Sequence, residues 1–351
     1  MIESGRAPGV REVAAAAGVS RQTVSRVLND HASIRPATRD RVLAAMAELN
    51  FRPNRAARML TTARSTTIGV LAASTSSLFG PASSIDAVEN AARDAGYFVT
   101  VAHTSALDRA SVEAALDHLL AQAVEGIVVI APQQRVQDAM AAVSLAVPSV
   151  TLHGAGAGAA GDDGVFVDQV EGARLATRHL IGRGHRRIAH LCGPGDWSEA
   201  RARRDGFLAE LAEHGGGDGG GVEGDGGVVG LVTREGDWTA ASGAEIAAEL
   251  LADESVTAVF SSNDQMALGV LHAARLAGRR VPEDLAVVGF DDIPEAAFFA
   301  PPLTTVRQDF AELGRRCVAR LVSLIEGGGA EGAGVAFGAP VAPVLVERAS
   351  A

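Results

Sequence analysis

VREVAAAA, residues 10–17, runs into GVSRQTVSRVL, residues 18–28, and the reading of this pair decides how the chain begins. Val10, Val13, Ala14 and Ala17 recur at helical spacing and predict one apolar stripe. Gly18 suits the end of that helix, and Ser20 suits the cap of the next. In the second segment Val24, Val27 and Leu28 fall on one face, which leaves Arg21, Gln22, Ser25, Arg26 and Asn29 pointing outward. A third helix is expected from Pro36, burying Val42, Met46 and Leu49 and stopping around Arg52-Pro53. Asn54 can cap a short further helix from Arg55 to Leu60, and residues 61–67 are polar and linker-like.

Charge separates this segment from the rest. The chain of 351 residues carries a formal net charge of −11. Residues 1–65 hold eleven arginines against five acids, a formal +6, so −17 falls on the remainder. A basic module on an acidic body predicts local contact with phosphate. Two helices joined by a tight glycine turn form a helix-turn-helix, which places the start of its second helix in the major groove. Arginine offers a fork to guanine and glutamine pairs with adenine, so Arg21, Gln22 and Arg26 are candidate base readers.

From Ile68 the pattern changes. Short apolar runs at 68–73, 98–103, 126–131, 149–153, 187–192, 258–262 and 285–290 alternate with amphipathic stretches such as 85–95, 110–122, 170–183 and 242–251. Strands buried on both faces and separated by helices predict parallel α/β sheets. Their number exceeds one compact sheet, so two Rossmann-like lobes with a cleft between them are expected. Glycine-rich tracts at 154–161, 214–227 and 326–334 read as loops, because their ordering entropy is high and they offer nothing to bury.

Several classes are excluded or disfavoured. The chain has no lysine, which rules out a Walker-type phosphate loop. Its two cysteines, Cys192 and Cys317, lie in unrelated contexts and suggest neither a disulfide framework nor a zinc site. No apolar run reaches the ~20 residues that would span a bilayer, and the first residues do not resemble a signal peptide. A cytoplasmic protein without metal or cofactor is the expectation.

The stretches VREVAAAAGVSRQTVSRVLND and AMAELNFRPNRAARML resemble the headpiece and hinge of the LacI/GalR family of transcriptional repressors. GHRRIAHLCGP, REGDWTAASG, NDQMALGVL, VVGFDD and PPLTTVRQDF resemble that family's core, so the similarity covers nearly the whole chain. It implies an all-α helix-turn-helix headpiece (1–53), a hinge helix and linker (54–67) and a two-lobed, periplasmic-binding-protein-like core of α/β type (68–351). By the same resemblance Arg21, Gln22 and Arg26 read bases, and Thr23, Ser25, Asn29, Asn54 and Arg55 support the interface. Leu60 matches the hinge leucine that wedges into the minor groove at the operator centre.

In the core the resemblance places Arg203, Asn263 and Asp291 on the hydroxyls of a sugar effector, with Trp238 stacking on it. Gln308 and Phe310 are to shape the pocket near the lobe crossover, and Ser83 is a further candidate contact. Residue by residue and without the resemblance, capping for Asp291, a surface ion pair for Arg203 and packing for Trp238 come ahead of a ligand contact. Three departures from the family pattern stand out. Arg21 replaces a tyrosine, which predicts a different operator. Gly9 replaces a capping threonine, which predicts a frayed start to the first helix. His153 replaces an acid in the sugar site, which argues against galactoside specificity. The implied partners are palindromic double-stranded DNA, a small carbohydrate and a second copy of the chain. Tetrameric family members carry C-terminal leucine heptads, and residues 344–351, VLVERASA, carry none, so a homodimer is expected.

Two readings compete. A sugar-binding protein of transport would share the core but not the helix-turn-helix. An α/β enzyme could use His103, His153, His185 or His190 as a base, but no nucleophile, acid or metal spacing accompanies them. Within the favoured reading, the effector can be an inducer or a corepressor.

Overall fold

A computed structural model describes residues 8–28, 31, 33–52, 59, 64–73, 79–104, 106–152, 164–215, 227–327 and 339–351. Asn29, Asn54, Arg55, Leu60 and His153 lie outside the described residues. The chain divides into two units, Met1–Ser65 and Thr66–Ala351.

The first unit is built on α1 (Val10–Ala16), α2 (Arg21–Leu28) and α3 (Pro36–Glu48). Its core comprises Val13, Ala14 and Ala17 from the first segment, Val24 and Val27 from α2, and Val42, Ala45 and Phe51. Gly18 takes φ +63° between α1 and α2, a conformation that costs glycine little. Ser20 caps α2: its Oγ accepts from the Thr23 N–H at 3.1 Å. Gly9 has no side chain to cap α1, but Glu12 reaches back so that its carboxylate accepts from the Gly9 N–H at 2.8 Å. The α1 start therefore keeps half of a capping box, which counters the fraying expected from Gly9.

The second unit carries two sheets. The first runs in the order β2-β1-β3-β4-β5, all parallel, from Phe98–His103, Thr67–Ala72, Gly126–Ile130, Ser149–Leu152 and Gly164–Val165. The second runs β11-β10-β9-β8-β6-β7, from Val344–Val346, Thr304–Arg307, Ala286–Asp291, Ala258–Ser261, Arg187–Leu191 and Val229–Val232. Only its edge strand β11 is antiparallel to its neighbour. The central strands β1, β3, β8 and β9 are buried along their whole length, which is why they read as unbroken apolar runs.

Helices α4 (Phe79–Asp94), α5 (Arg109–Ala121) and α6 (Gln134–Ala141) follow strands of the first sheet. Helices α7 (Gln169–Gly182), α8 (Ser198–Glu213), α9 (Ala240–Leu250) and α10 (Asp264–Leu276) belong to the second sheet. The last helix, α11 (Phe310–Ile325), leaves the second sheet and packs Leu313, Cys317 and Leu321 against Ile68, Val128 and Val150 of the first. The chain thus crosses between lobes near residues 166–168 and 308–309. Val341 pairs with Val167 where it returns. Among the described residues no helix is long and apolar enough to cross a membrane.

Candidate functional site: a reading face and an interlobe cavity

In the headpiece the α2 period separates two faces. Val24 and Val27 are buried, Arg21, Gln22 and Arg26 are exposed, and Thr23 and Ser25 are half-buried. The Thr23 hydroxyl lies 2.9 Å from the Ser20 hydroxyl and so belongs to the cap. The outward set offers two guanidinium groups and one amide, all donors suited to base edges and phosphates.

In the core a cavity of about 450 Å³, counted with its open mouth, lies between the lobes. Phe79, Gly80, Pro81 and Pro132 line it from the first lobe. Trp197, Glu199, Arg203, Trp238, Asn263, Asp291 and Gln308 complete it. Strand ends and the loops after them supply most of this wall, as the open α/β topology dictates.

Three wall residues, Arg203, Gln308 and Asp291, close a ring with Gln169, and all four side chains are buried. The Arg203 Nε donates to Gln169 Oε1 at 2.9 Å, and Gln169 Nε2 donates to Gln308 Oε1 at 2.8 Å. Gln308 Nε2 donates to Asp291 Oδ1 at 2.7 Å, and Asp291 returns to Arg203 Nη2 at 3.6 Å. Arg203 Nη1 donates to the Ser262 carbonyl, and the guanidinium lies 3.8 Å from the centre of the Phe290 ring. Gly206 lets α8 approach the backbone of Val170, which brings Arg203 within reach of Gln169. Burial raises the Asp291 carboxyl to about 6 against the pull of Arg203 and Gln308. Neither a surface ion pair for Arg203 nor a helix cap for Asp291 describes what these residues do.

Asn263 does act as a cap. Its Oδ1 accepts from the Met266 N–H at 2.8 Å at the start of α10, and its Nδ2 donates to the Trp238 carbonyl at 3.0 Å. That second bond holds Trp238, whose backbone takes φ +72°; Asp291 takes φ +108°. Two wall residues thus sit in conformations that side-chain-bearing residues rarely adopt, as happens at functional sites. Trp238 is 5 % exposed, and its Nε1 has no hydrogen-bond partner among the described residues.

Phe310 does not line the cavity. It stands behind Phe79 in an edge-to-face contact at 5.9 Å, and Phe79 forms the wall. Ser83 is half-buried and also absent from the wall. Helix α4 begins at Phe79, six residues before the expected Ile85, so Ser83 lies a turn inside it and Phe79, Gly80 and Pro81 face the cavity instead. Sequence reasoning also missed Gln169, Trp197 and Glu199. Trp197 was legible as one of two tryptophans in the chain, beside a glycine-proline turn.

Beside the cavity the lobes touch directly. Ser198 N–H donates to the Pro132 carbonyl and Gln134 N–H to the Asp196 carbonyl, each at 2.9 Å; Arg135 pairs with the Asp196 carboxylate at 2.5 Å. Of the histidines, His190 is fully buried, stacks on Phe260 at 4.7 Å and is held neutral, its pKa pushed down to about 3 by burial. Burial lowers His185 as well, and His185 lies 3.0 Å from the Thr257 hydroxyl. Both serve the packing of the second lobe. Among the described residues no group of three or more His, Cys, Asp or Glu side chains could hold a metal ion.

A helix-turn-helix and a two-lobed binding core on one chain define the class of ligand-responsive DNA-binding regulators. Residues 10–54 match the model for bacterial regulatory proteins of the lacI family, and residues 177–351 match the periplasmic binding protein-like domain. The lactose operon repressor of Escherichia coli K12 is 38 % identical over 92 % of this chain and 86 % of its own length. The transcriptional regulator CelR of Thermobifida fusca is 36 % identical over 93 % of this chain and 94 % of its own. The solved lac repressor dimer bound to operator and the anti-inducer ONPF superposes with a TM-score of 0.79 at 34 % identity, covering 98 % of this chain and 99 % of that one. A CelR–cellobiose complex gives 0.66 at 31 % identity over 98 % and 100 %. The chain belongs to the LacI family of bacterial regulatory proteins.

Proposed function

We infer that this chain is a sequence-specific transcriptional repressor whose operator affinity is set by a small sugar-like inducer bound between the core lobes. One observation carries the reading: an exposed Arg21–Gln22–Arg26 face and a buried Arg203–Gln169–Gln308–Asp291 ring occur on the same chain. The first suits phosphates and base edges, and the second suits a neutral polyhydroxyl ligand. The relatives' names support the sugar class, since they include the lactose and ribose operon repressors and a cellobiose complex. Residues 1–53 are assigned to DNA reading, 54–67 to a hinge with Asn54, Arg55 and Leu60 at the DNA, and 68–351 to effector binding and dimerisation. His153 belongs to the proposed effector site. The protein works in the cytoplasm, and its function needs no chemical step on its ligand.

Control follows from linkage. One arrangement of the lobes lets two hinges and two headpieces reach their half-sites; the ligand binds the other arrangement more tightly. Operator affinity then falls by the ratio of the ligand's affinities for the two states. Two-fold symmetry requires a palindromic site. Selection of binding sites from random duplexes by the full-length chain tests the reading. A palindrome with half-sites about one helical turn apart is the expected result; recovery of no preferred sequence overturns it. Analytical ultracentrifugation checks assembly: a dimer is expected, and a tetramer contradicts the account.

A further inference from the structure

The first turn of α8 presents two residues that the reading above leaves without a role. Trp197 is the N-cap residue and Glu199 lies in the first turn, where the helix dipole favours a carboxylate. Glu199 and Arg203 are four residues apart, on one helical face, and both line the cavity. Glu199 is 8 % exposed and accepts from the Ser198 hydroxyl at 3.0 Å.

The two tryptophans of the chain meet in this wall, ring centres 5.3 Å apart and planes at 65°. Their surroundings differ. Trp238 is hemmed in by Gly193, which has no side chain to spare it a clash, by Trp197, and by the Arg203 guanidinium 5.7 Å from its ring centre. Its indole N–H is buried and has no hydrogen-bond partner among the described residues. Trp197 is only half-buried and lines the cavity.

The charges of the wall are two carboxyls, Glu199 and Asp291, against one guanidinium, Arg203. Every terminal and ε nitrogen of Arg203 is engaged, with Gln169, the Ser262 carbonyl and Asp291. An anionic ligand would therefore meet two carboxyls with no uncommitted cation to pair with, and its desolvation would go uncompensated.

We propose that Trp197 and Glu199 form the subsite that selects the effector, a neutral pyranoside whose C–H face lies on the Trp197 ring and whose hydroxyl donates to Glu199. This rests on the reading of the cavity as a sugar-effector site and sharpens it: sugar phosphates and sugar acids are rejected. Burial raises the Glu199 carboxyl to about 7, with Asp291 adding to the rise and Arg203 and Ser198 opposing it, so a donated hydroxyl is what stabilises its ionised form.

Both tryptophans line the cavity, so intrinsic tryptophan emission reads its occupancy without DNA. The full-length protein is titrated with methyl β-glucoside, cellobiose, lactose, glucose 6-phosphate and glucuronate, and each result is repeated on Glu199→Gln and Trp197→Phe with thermal melts alongside. The proposal expects a neutral sugar to bind and the two anionic sugars to bind at least about a hundredfold more weakly. Glu199→Gln weakens the neutral sugar about tenfold and narrows the gap to the anions. Anionic sugars binding wild type as well as neutral ones overturn the proposal, as does Glu199→Gln with unchanged affinities and a native melt. If no sugar shifts the emission of any form, the sugar-effector reading falls, and this proposal with it.

Discussion

The headpiece and the cavity use the same side-chain chemistry in opposite ways. On α2, Arg21, Gln22 and Arg26 are exposed, and their partners arrive with the DNA. In the ring at the cavity wall, Arg203, Gln308 and Asp291, with Gln169, are buried and satisfy one another before any ligand comes. An exposed reader can be replaced with little effect on folding. A buried ring member cannot, because its removal strands a polar partner in low dielectric. The affinity of the first site is therefore separable from stability, whereas in the second the two are coupled.

That contrast yields predictions in descending size. Arg203→Ala takes the donor from Gln169 and from the Ser262 carbonyl and the paired cation from Asp291. It should destabilise the core by about 3 kcal/mol and abolish the effector response, with operator binding in the absence of effector retained. Chemical denaturation and DNA titration check the two halves separately. If the core melts normally, the ring is not the coupled unit described here.

Glu199→Gln comes next and depends on pH. The free carboxyl loses its proton near 4.5, but in the fold it keeps it to about 7. Between those values the folded state binds more protons, so wild-type stability falls as pH rises. The glutamine variant escapes that loss. Its melting temperature relative to wild type should rise between pH 5 and pH 8, corresponding to about 2–3 kcal/mol. Asp291 is raised in the same direction and is present in both proteins.

On the exposed side, Gln22→Ala or Arg26→Ala should cost about 1–3 kcal/mol of operator affinity each and leave the melting temperature unchanged. A matching loss of headpiece stability would erase the contrast between the regions. Ser20→Ala is the smallest case, about 1 kcal/mol of headpiece stability from the lost cap of α2, measured on the full-length chain by thermal melts.

The same contrast explains what could be read from the sequence. The headpiece was legible because periodicity alone sorts Val24 and Val27 from Arg21 and Gln22. Strands β1, β3, β8 and β9 were legible because burial on both faces leaves unbroken apolar runs. Strands β5, β7, β10 and β11 were not, being two to four residues long or carrying polar residues such as Thr304 and Thr305. Helix α8 gave no apolar stripe, since Glu199, Arg203 and Glu210 are among its buried residues. Family resemblance supplied Arg203, Asn263, Asp291, Gln308 and Trp238 for the cavity, but not their ring partner Gln169, whose place depends on the close approach of α7 and α8 at Gly206. Ser83 is not among the wall residues because α4 already runs from Phe79 and places Ser83 a turn inside it.

The central claim is that occupancy of the interlobe cavity controls affinity for DNA. Fluorescence anisotropy of a labelled palindrome selected by the full-length protein tests it most directly, repeated across a panel of neutral sugars. The account predicts that at least one sugar weakens DNA binding and that Arg203→Ala loses this response while still binding the palindrome. Operator affinity that no sugar changes in either direction would contradict it.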